Sequence, residues 1–264
     1  MDYLPAKKIS DFLDNLGINY IKNDRTIISP LEIDIFIPDK KIGIEVNGNF
    51  WHSEFGGKDK NYHINKSKLC EEKGIKLIHI FEDEIENEFN IVKSRLSSIL
   101  GKTENIIYAR KCDIREVSSK EKREFINKCH IQGDSDRYEL IRFCNKLKTT
   151  VVGGFSRLLK YFINEYKPKS LKTYCDIRWS GLNYEETVYY KNSFKFDGYS
   201  KPNYWYMQKN NLLKRYHRYN FTKHSILSKH NELNKNKTEW QLMCELGYNR
   251  IYDCGNMKFS LEIN

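Results

Sequence analysis

Asp34 and Glu45 stand in two short apolar runs on either side of a turn, within LEIDIFIPDKKIGIEVNGNFWH (residues 31–52). If "PDKK" (38–41) is the turn, an antiparallel register sets Ile37 opposite Ile42, Asp34 opposite Glu45 and Glu32 opposite Asn47. Strand side chains alternate faces, so Ile33, Ile35 and Ile37 meet Ile42, Ile44 and Val46 on one side. The other side carries Glu32, Asp34, Phe36, Gly43, Glu45 and Asn47. Directly opposed Cβ atoms in such a pair lie roughly 4.5–5.5 Å apart. Two carboxylates at that distance repel, and three arrangements relieve the repulsion: one is protonated, a cation sits between them, or the face is solvated and sheet twist holds them apart. A divalent metal is the simplest of these, because Mg²⁺ is satisfied by one or two carboxylates plus waters and substrate phosphates. Phe50, Trp51 and His52 follow the second run. The aromatic pair could close a core or meet a ligand, and the imidazole could cap the strand or carry a proton.

The surrounding pattern supplies elements to hold these groups. "AKKISDFLDNLG" places Ile9, Phe12, Leu13 and Leu16 at helical spacing with Gly17 as a stop. "INYI" reads as a short strand before the hairpin. "YHINKSKLCEEKG" reads as a helix, "IKLIHIF" (75–81) as a buried strand, and "EDEIENEFNIVKSRLSSILG" as one long amphipathic helix with an acidic first turn. The order α-β-β-β-α-β-α over the first hundred or so residues predicts a compact α/β unit.

Beyond Gly101 the pattern changes. "IIYARKCDIREVS", "YELIRFCNK", "TTVV" and "LKTYCDIRW" read as strands, "SKEKREFINKCH" as a helix capped by Ser118 or Ser119, and "GGFSRLLKYFINEY" as a glycine turn opening a helix. In "YWYMQKNNLLKRYHRYNFTKH" (204–224), Lys209, Lys214, Arg215, Arg218 and Lys223 alternate with Tyr, Trp and Phe. Such a segment can neutralise phosphates and stack on bases, or form an aromatic core under solvated charges. A helix over 211–219 would set Arg215 and Arg218 near one face, with Lys214 beside them.

The chain has 264 residues and a net charge of +10. Residues 1–100 hold 14 Lys and Arg against 17 Asp and Glu, whereas residues 101–264 hold 31 against 18. The basic excess therefore lies in the C-terminal part, which suits a polyanion such as nucleic acid, although a genome rich in Lys and Asn codons would also yield a basic protein. No apolar run is long enough to span a bilayer, and no basic start followed by an apolar stretch marks a signal peptide. Seven scattered cysteines without a C-x-x-C pair disfavour a disulfide framework or a zinc ribbon. The expected setting is cytoplasmic: the host cell cytoplasm, should the gene be phage-borne.

Strand, turn and "IEVNGNFWH", followed by "EEKGIKLIHIFEDEI", resemble the active-site region of very-short-patch repair endonucleases and related phage homing endonucleases, within the PD-(D/E)XK nuclease class. The resemblance covers about the first hundred residues. It implies a helix, a mixed sheet and a second helix, with Mg²⁺ (or Mn²⁺) held by Asp34 and Glu45. It makes His52 the candidate base or leaving-group partner, with Asn47 in support, and makes Phe50 and Trp51 an aromatic wedge for duplex DNA. Glu32 could serve as an outer ligand. The class usually places a Lys where this chain has Asn47, which leaves open a degenerate nuclease fold acting as a DNA-binding or host-interaction protein. No Cys-His cluster matches the repair enzymes' zinc site, so the homing type fits better. The strand-Gly-Gly-helix order around "VVGGFSRLLKYF" resembles half of a GNAT-like acyltransferase fold, in which a helix N-terminus cradles pyrophosphate; tight helix packing explains the same glycines.

The sequence therefore predicts an α/β (α+β) fold in three parts: a nuclease-type domain over 1–105, an accessory α/β region over 106–200 resembling a truncated GNAT fold, and a basic aromatic segment over 201–264. The expected activity is Mg²⁺-dependent hydrolysis of duplex DNA. Lys214, Arg215, Arg218 and Lys223 are the expected DNA contacts, no membrane partner is expected, and a homodimer is left open.

Overall fold

The computed structural model describes residues 3–129 and 143–263. It is a mixed α/β structure, as the pattern predicts. The N-terminal elements are α1 (Leu4–Asn15), β1 (Ile21–Asp24), β2 (Ile33–Ile37), β3 (Ile42–Asn47), α2 (Tyr62–Glu72), β4 (Lys76–Phe81), α3 (Glu82–Asn87) and α4 (Phe89–Ile99). The four strands form one sheet in the order β1-β2-β3-β4. The first two pairings are antiparallel and β3–β4 is parallel, with α2 as the crossover.

The hairpin register matches the sequence reading: Ile35 pairs with Ile44, Phe36 with Gly43 and Ile37 with Ile42. Pro38–Lys40 make the turn, and Lys41 closes it at φ 51°. The central strand β3 is buried along its whole length because it has a neighbour on each side and helices on both faces. One face packs Ile35, Ile37, Ile42, Ile44, Val46, Ile78 and Ile80 against Ile9 and Leu13 of α1, Ile85 of α3, and Val92 and Leu96 of α4. Ile33 departs from the expected alternation: it joins Ile28, Cys70, Ile75 and Leu77 in a separate cluster. Gly43 permits this, since a Cβ there would stand 2.9 Å from Leu77 and 3.1 Å from Ile33. The single long helix expected over 82–101 is two helices, divided at Glu88, whose backbone leaves helical geometry at φ −129°.

The remaining elements are β5 (Asn105–Tyr108), α5 (Ser119–Cys129), β6 (Thr149–Val152), α6 (Gly154–Tyr166), β7 (Ser170–Asp176), α7 (Ile177–Ser180), β8 (Lys195–Tyr199), β9 (Tyr204–Gln208), β10 (Asn211–His217), α8 (Lys223–Lys229), α9 (Glu239–Glu245), β11 (Tyr248–Tyr252) and β12 (Asn256–Glu262). They build sheets β10-β9-β11 and β7-β12-β8, plus a parallel pair β5-β6. "HIQG" (130–133) and most of "YELIRFCNK" (138–146) lie outside the described residues, and 143–146 form no strand. The strand expected from "IIYARKCDIREVS" ends at Tyr108. The helix expected over 211–219 is instead β10, antiparallel to β9. Pairing with the aromatic strand β9 overrides the helical spacing of its basic residues.

Glycines 153 and 154 open α6 as expected, with Gly153 at φ 75°. A Cβ on Gly154 would stand 3.2 Å from Val151, and Arg157 in the first turn donates to the carbonyls of Ala109 and Cys112. These interactions fit helix packing. Among the described residues no helix is long and apolar enough to cross a membrane.

Candidate active site

At the open end of the hairpin, regular pairing gives way to bonds between side chains and backbone. The Val46 N–H donates to Asp34 Oδ2 at 2.7 Å, which draws the Asp34 carboxylate to the backbone next to Glu45. Both carboxyls are pushed above their usual range. For Asp34 the cause is burial, opposed by the Val46 N–H and by Lys66. For Glu45 burial and then Asp34 raise it to about 8, with Lys66 opposing. Glu45 Oε2 is buried with no hydrogen-bond partner.

The pattern of α2 explains what surrounds Glu45. His63, Lys66, Ser67 and Cys70 recur at helical spacing and are all buried, while Leu69 is 40% exposed. The helix thus turns a polar face to the sheet. Lys66 Nζ donates to Glu45 Oε1, and both side chains are buried. Burial works against the ammonium charge, but Glu45 more than offsets it and holds Lys66 protonated. A buried cation therefore reaches the carboxylates from the helix and not from position 47 of β3, which is Asn. Sequence inspection missed Lys66. The signal was a crossover helix with too few apolar residues to form a stripe, which must bury polar groups.

Asn47 is fully buried and lies behind the acids, with its Nδ2 3.3 Å from His79 Nδ1. His79 Nε2 is 2.9 Å from Ser67 Oγ. His52 sets its Nδ1 3.3 Å from Nε2 of the buried His63, with the two rings stacked. Burial, then Lys66 and Lys58, push the His52 imidazole down to about 3, so it is neutral at physiological pH. Burial lowers His63 and His79 as well.

Asp34 and His52 line one cleft of about 470 Å³ together with Tyr3, Lys7, Glu32 and Trp51. Glu32 is bonded to Arg25 Nε at 2.6 Å. Trp51 is 69% exposed and Phe50 40%, packed edge to face. Their loop curls tightly: the His52 N–H donates to the Gly48 carbonyl, and a Cβ at Gly56 would meet the Phe50 carbonyl at 2.5 Å. The C-terminal sheet clamps it. Ser53 bridges to Ile251 of β11, Asn249 bonds Ser53 Oγ and the Phe55 N–H, and Glu54 takes Arg250 and Tyr252. Asn49 Nδ2 donates to the Leu212 carbonyl of β10.

The expected DNA-contact residues divide. Lys214 is exposed and sits over the Tyr216 ring, Arg218 lies over Tyr204 and Tyr219, and Lys223 begins α8. Arg215 is engaged within the protein: its side chain is 10% exposed, bonds Asp83 and Glu84 at 2.8 Å each, and covers Phe81. Neighbouring strand residues face opposite ways, so β10 turns Arg215 inward where a helix would have grouped it with the others.

Two carboxylates, an orphaned carboxylate oxygen and elevated carboxyls make a fitting donor set for a divalent ion that takes its other ligands from water and phosphate. Among the described residues no cluster of three or more His, Cys, Asp or Glu could hold a metal.

No protein-family model matches the chain, and no curated protein does. Among solved structures, one titled "Homing Endonuclease I-Bth0305I Catalytic Domain" aligns with 28% identity over 37% of this chain and 93% of that one, at a TM-score of 0.29. At that score the likeness decides neither fold nor function.

Proposed function

We propose that this chain is a metal-dependent endonuclease that hydrolyses a phosphodiester in duplex DNA, of the homing type that its motifs resemble. The observation that carries the reading is the pairing of Asp34 with Glu45 beside a buried Lys66, next to a cleft edged by His52 and Trp51. Asp34 and Glu45 would hold Mg²⁺ (or Mn²⁺). When bound, the ion would offset charge on the scissile phosphate and acidify a water. Lys66 opposes the burial that holds the second carboxyl up at about 8 and so favours its ionised form in a dry site. His52, neutral and at the cleft, is placed to hydrogen-bond or exchange a proton with the reacting phosphate. Trp51 stands exposed where it can enter a base step, which costs a few kcal/mol of unstacking and bends the duplex. Lys214 and Arg218 would track phosphates. The degenerate-fold alternative rested on the Lys absent at position 47, and Lys66 supplies a cation from another element.

Asp34→Asn keeps the volume and the acceptor for Val46 but removes the charge. Plasmid nicking in Mg²⁺ should fall at least about 100-fold while DNA affinity stays within a few-fold. Normal cutting by this variant would refute the site.

A further inference from the structure

His63 is the buried group whose chemistry the proposed mechanism leaves unused. It sits one residue into α2, is 1% exposed, and has ring nitrogens in unlike surroundings. Nε2 lies 3.3 Å from His52 Nδ1, while Nδ1 is buried with no partner. A neutral imidazole carries one N–H and one lone pair, and the hydrogen bonds decide which nitrogen has which. A proton on His63 Nδ1 would be a buried donor without an acceptor, which folded proteins tolerate less readily than a buried lone pair without a donor. The proton therefore belongs on His63 Nε2, where it points at His52 Nδ1.

That assignment fixes the second ring. His52 Nδ1 must accept, so its own proton sits on Nε2, the nitrogen left for the cleft that His52 lines. We infer that His63 is a positioning residue that locks His52 as the Nε2–H tautomer, so that His52 offers the substrate a hydrogen-bond donor rather than a basic lone pair. Its partner would be a phosphate or leaving-group oxygen. Activation of water then falls to the carboxylate–Lys66 end of the site. The consequence for catalysis rests on the nuclease reading, but the tautomer does not.

Long-range ¹⁵N–¹H correlation of the histidine rings in the full chain at pH 7, without DNA, reads the tautomer directly. The wild type should show His52 protonated on Nε2. His63→Gln, whose amide N–H can replace the imidazole donor, should preserve that signal, and His63→Phe should shift His52 toward the Nδ1–H form. A wild-type His52 protonated on Nδ1 overturns the proposal without any variant. So does a tautomer that His63→Phe, folded by circular dichroism, leaves unchanged. In Mg²⁺ nicking, His63→Phe should lose about 10- to 100-fold in kcat with KM nearly constant, and His63→Gln should recover most of it. Equal losses in the two variants would assign His63 a packing role and reject the positioning one. Should the wild type cut no DNA, the nuclease reading fails alone and the ring signals still decide the tautomer.

Discussion

Lys66 is the residue on which the site's charge balance turns. Without it, buried Glu45 and the half-buried Asp34 beside it keep no cation bonded to either carboxylate, and the histidines His52 and His63 near them are neutral. Lys66→Met keeps the length and apolar stem of the side chain but leaves Glu45 without its counter-ion. Two outcomes are expected together. Mg²⁺-dependent cleavage falls at least about 10-fold, because the second acid, already held up at about 8, loses the cation that opposes burial and ionises still less at neutral pH. Thermal stability falls by no more than about 3 kcal/mol, the low end for breaking a buried ion pair, because Glu45, held up at about 8, can protonate. Nicking kinetics and a melting curve on the same preparation check both. A variant that melts far earlier would make Lys66 chiefly a structural ion pair.

At the scale of elements, the active-site strand and the loop after it are held by different parts of the chain. β3 is fixed by its own sheet, whereas the loop bearing Trp51 and His52 is fixed by β11 and β10. Asn249 is the fastening point, fully buried and bonded to Ser53, Phe55 and its own strand. Asn249→Ala leaves the Phe55 N–H without its acceptor and removes one donor to the Ser53 hydroxyl, at about 1–3 kcal/mol. Hydrogen exchange should accelerate over residues 48–57 with little change along β3, and uniform acceleration would show that loop and sheet open together. The same scale shows the limit of pattern reading. Residues 211–219 have basic groups at a spacing that fits a helix, yet 211–217 form a strand, because the adjacent β9 pairs with Asn211 and with Arg215, Tyr216 and His217 and supplies an aromatic face.

Across the whole molecule, Glu84 joins the N-terminal sheet to the C-terminal elements. Its carboxylate accepts from Arg178 of α7 and Arg215 of β10, at 2.9 and 2.8 Å. Burial alone would raise this acid, but the two guanidiniums hold it down at about 2. A folded-state value below the unfolded one means that the unfolded chain binds more protons between about pH 4.5 and 2. The stabilisation is therefore complete above that window and is lost as pH falls through it. Glu84→Gln should cost about 3 kcal/mol or more at pH 7 and should unfold with a shallower acid dependence, measured by urea titration at several pH values. Arg215→Ala belongs to the same network and should destabilise the fold. Lys214→Ala with Arg218→Ala should instead leave stability nearly unchanged and flatten the salt dependence of DNA binding by about 0.9 for each phosphate no longer neutralised. An unchanged salt slope would remove these two residues from the DNA face.

The order of elements in the first hundred residues, the turn at 38–41 and the hairpin register were all legible, because strand periodicity is local and a one-residue slip would turn the isoleucines to the wrong face. The same local rule is enough to place Asp34 and Glu45 together. What the tertiary structure alone decided is which charges meet. Lys66 reaches Glu45 across 21 residues, Arg215 reaches Glu84 across 131, and Asn249 reaches Ser53 across 196. None of these pairs leaves a periodic trace, since each is set by how a helix or sheet docks on another. The sequence therefore specified where the acids lie, and only the packed fold specified that a buried cation accompanies them and that Arg215 is paired with Asp83 and Glu84.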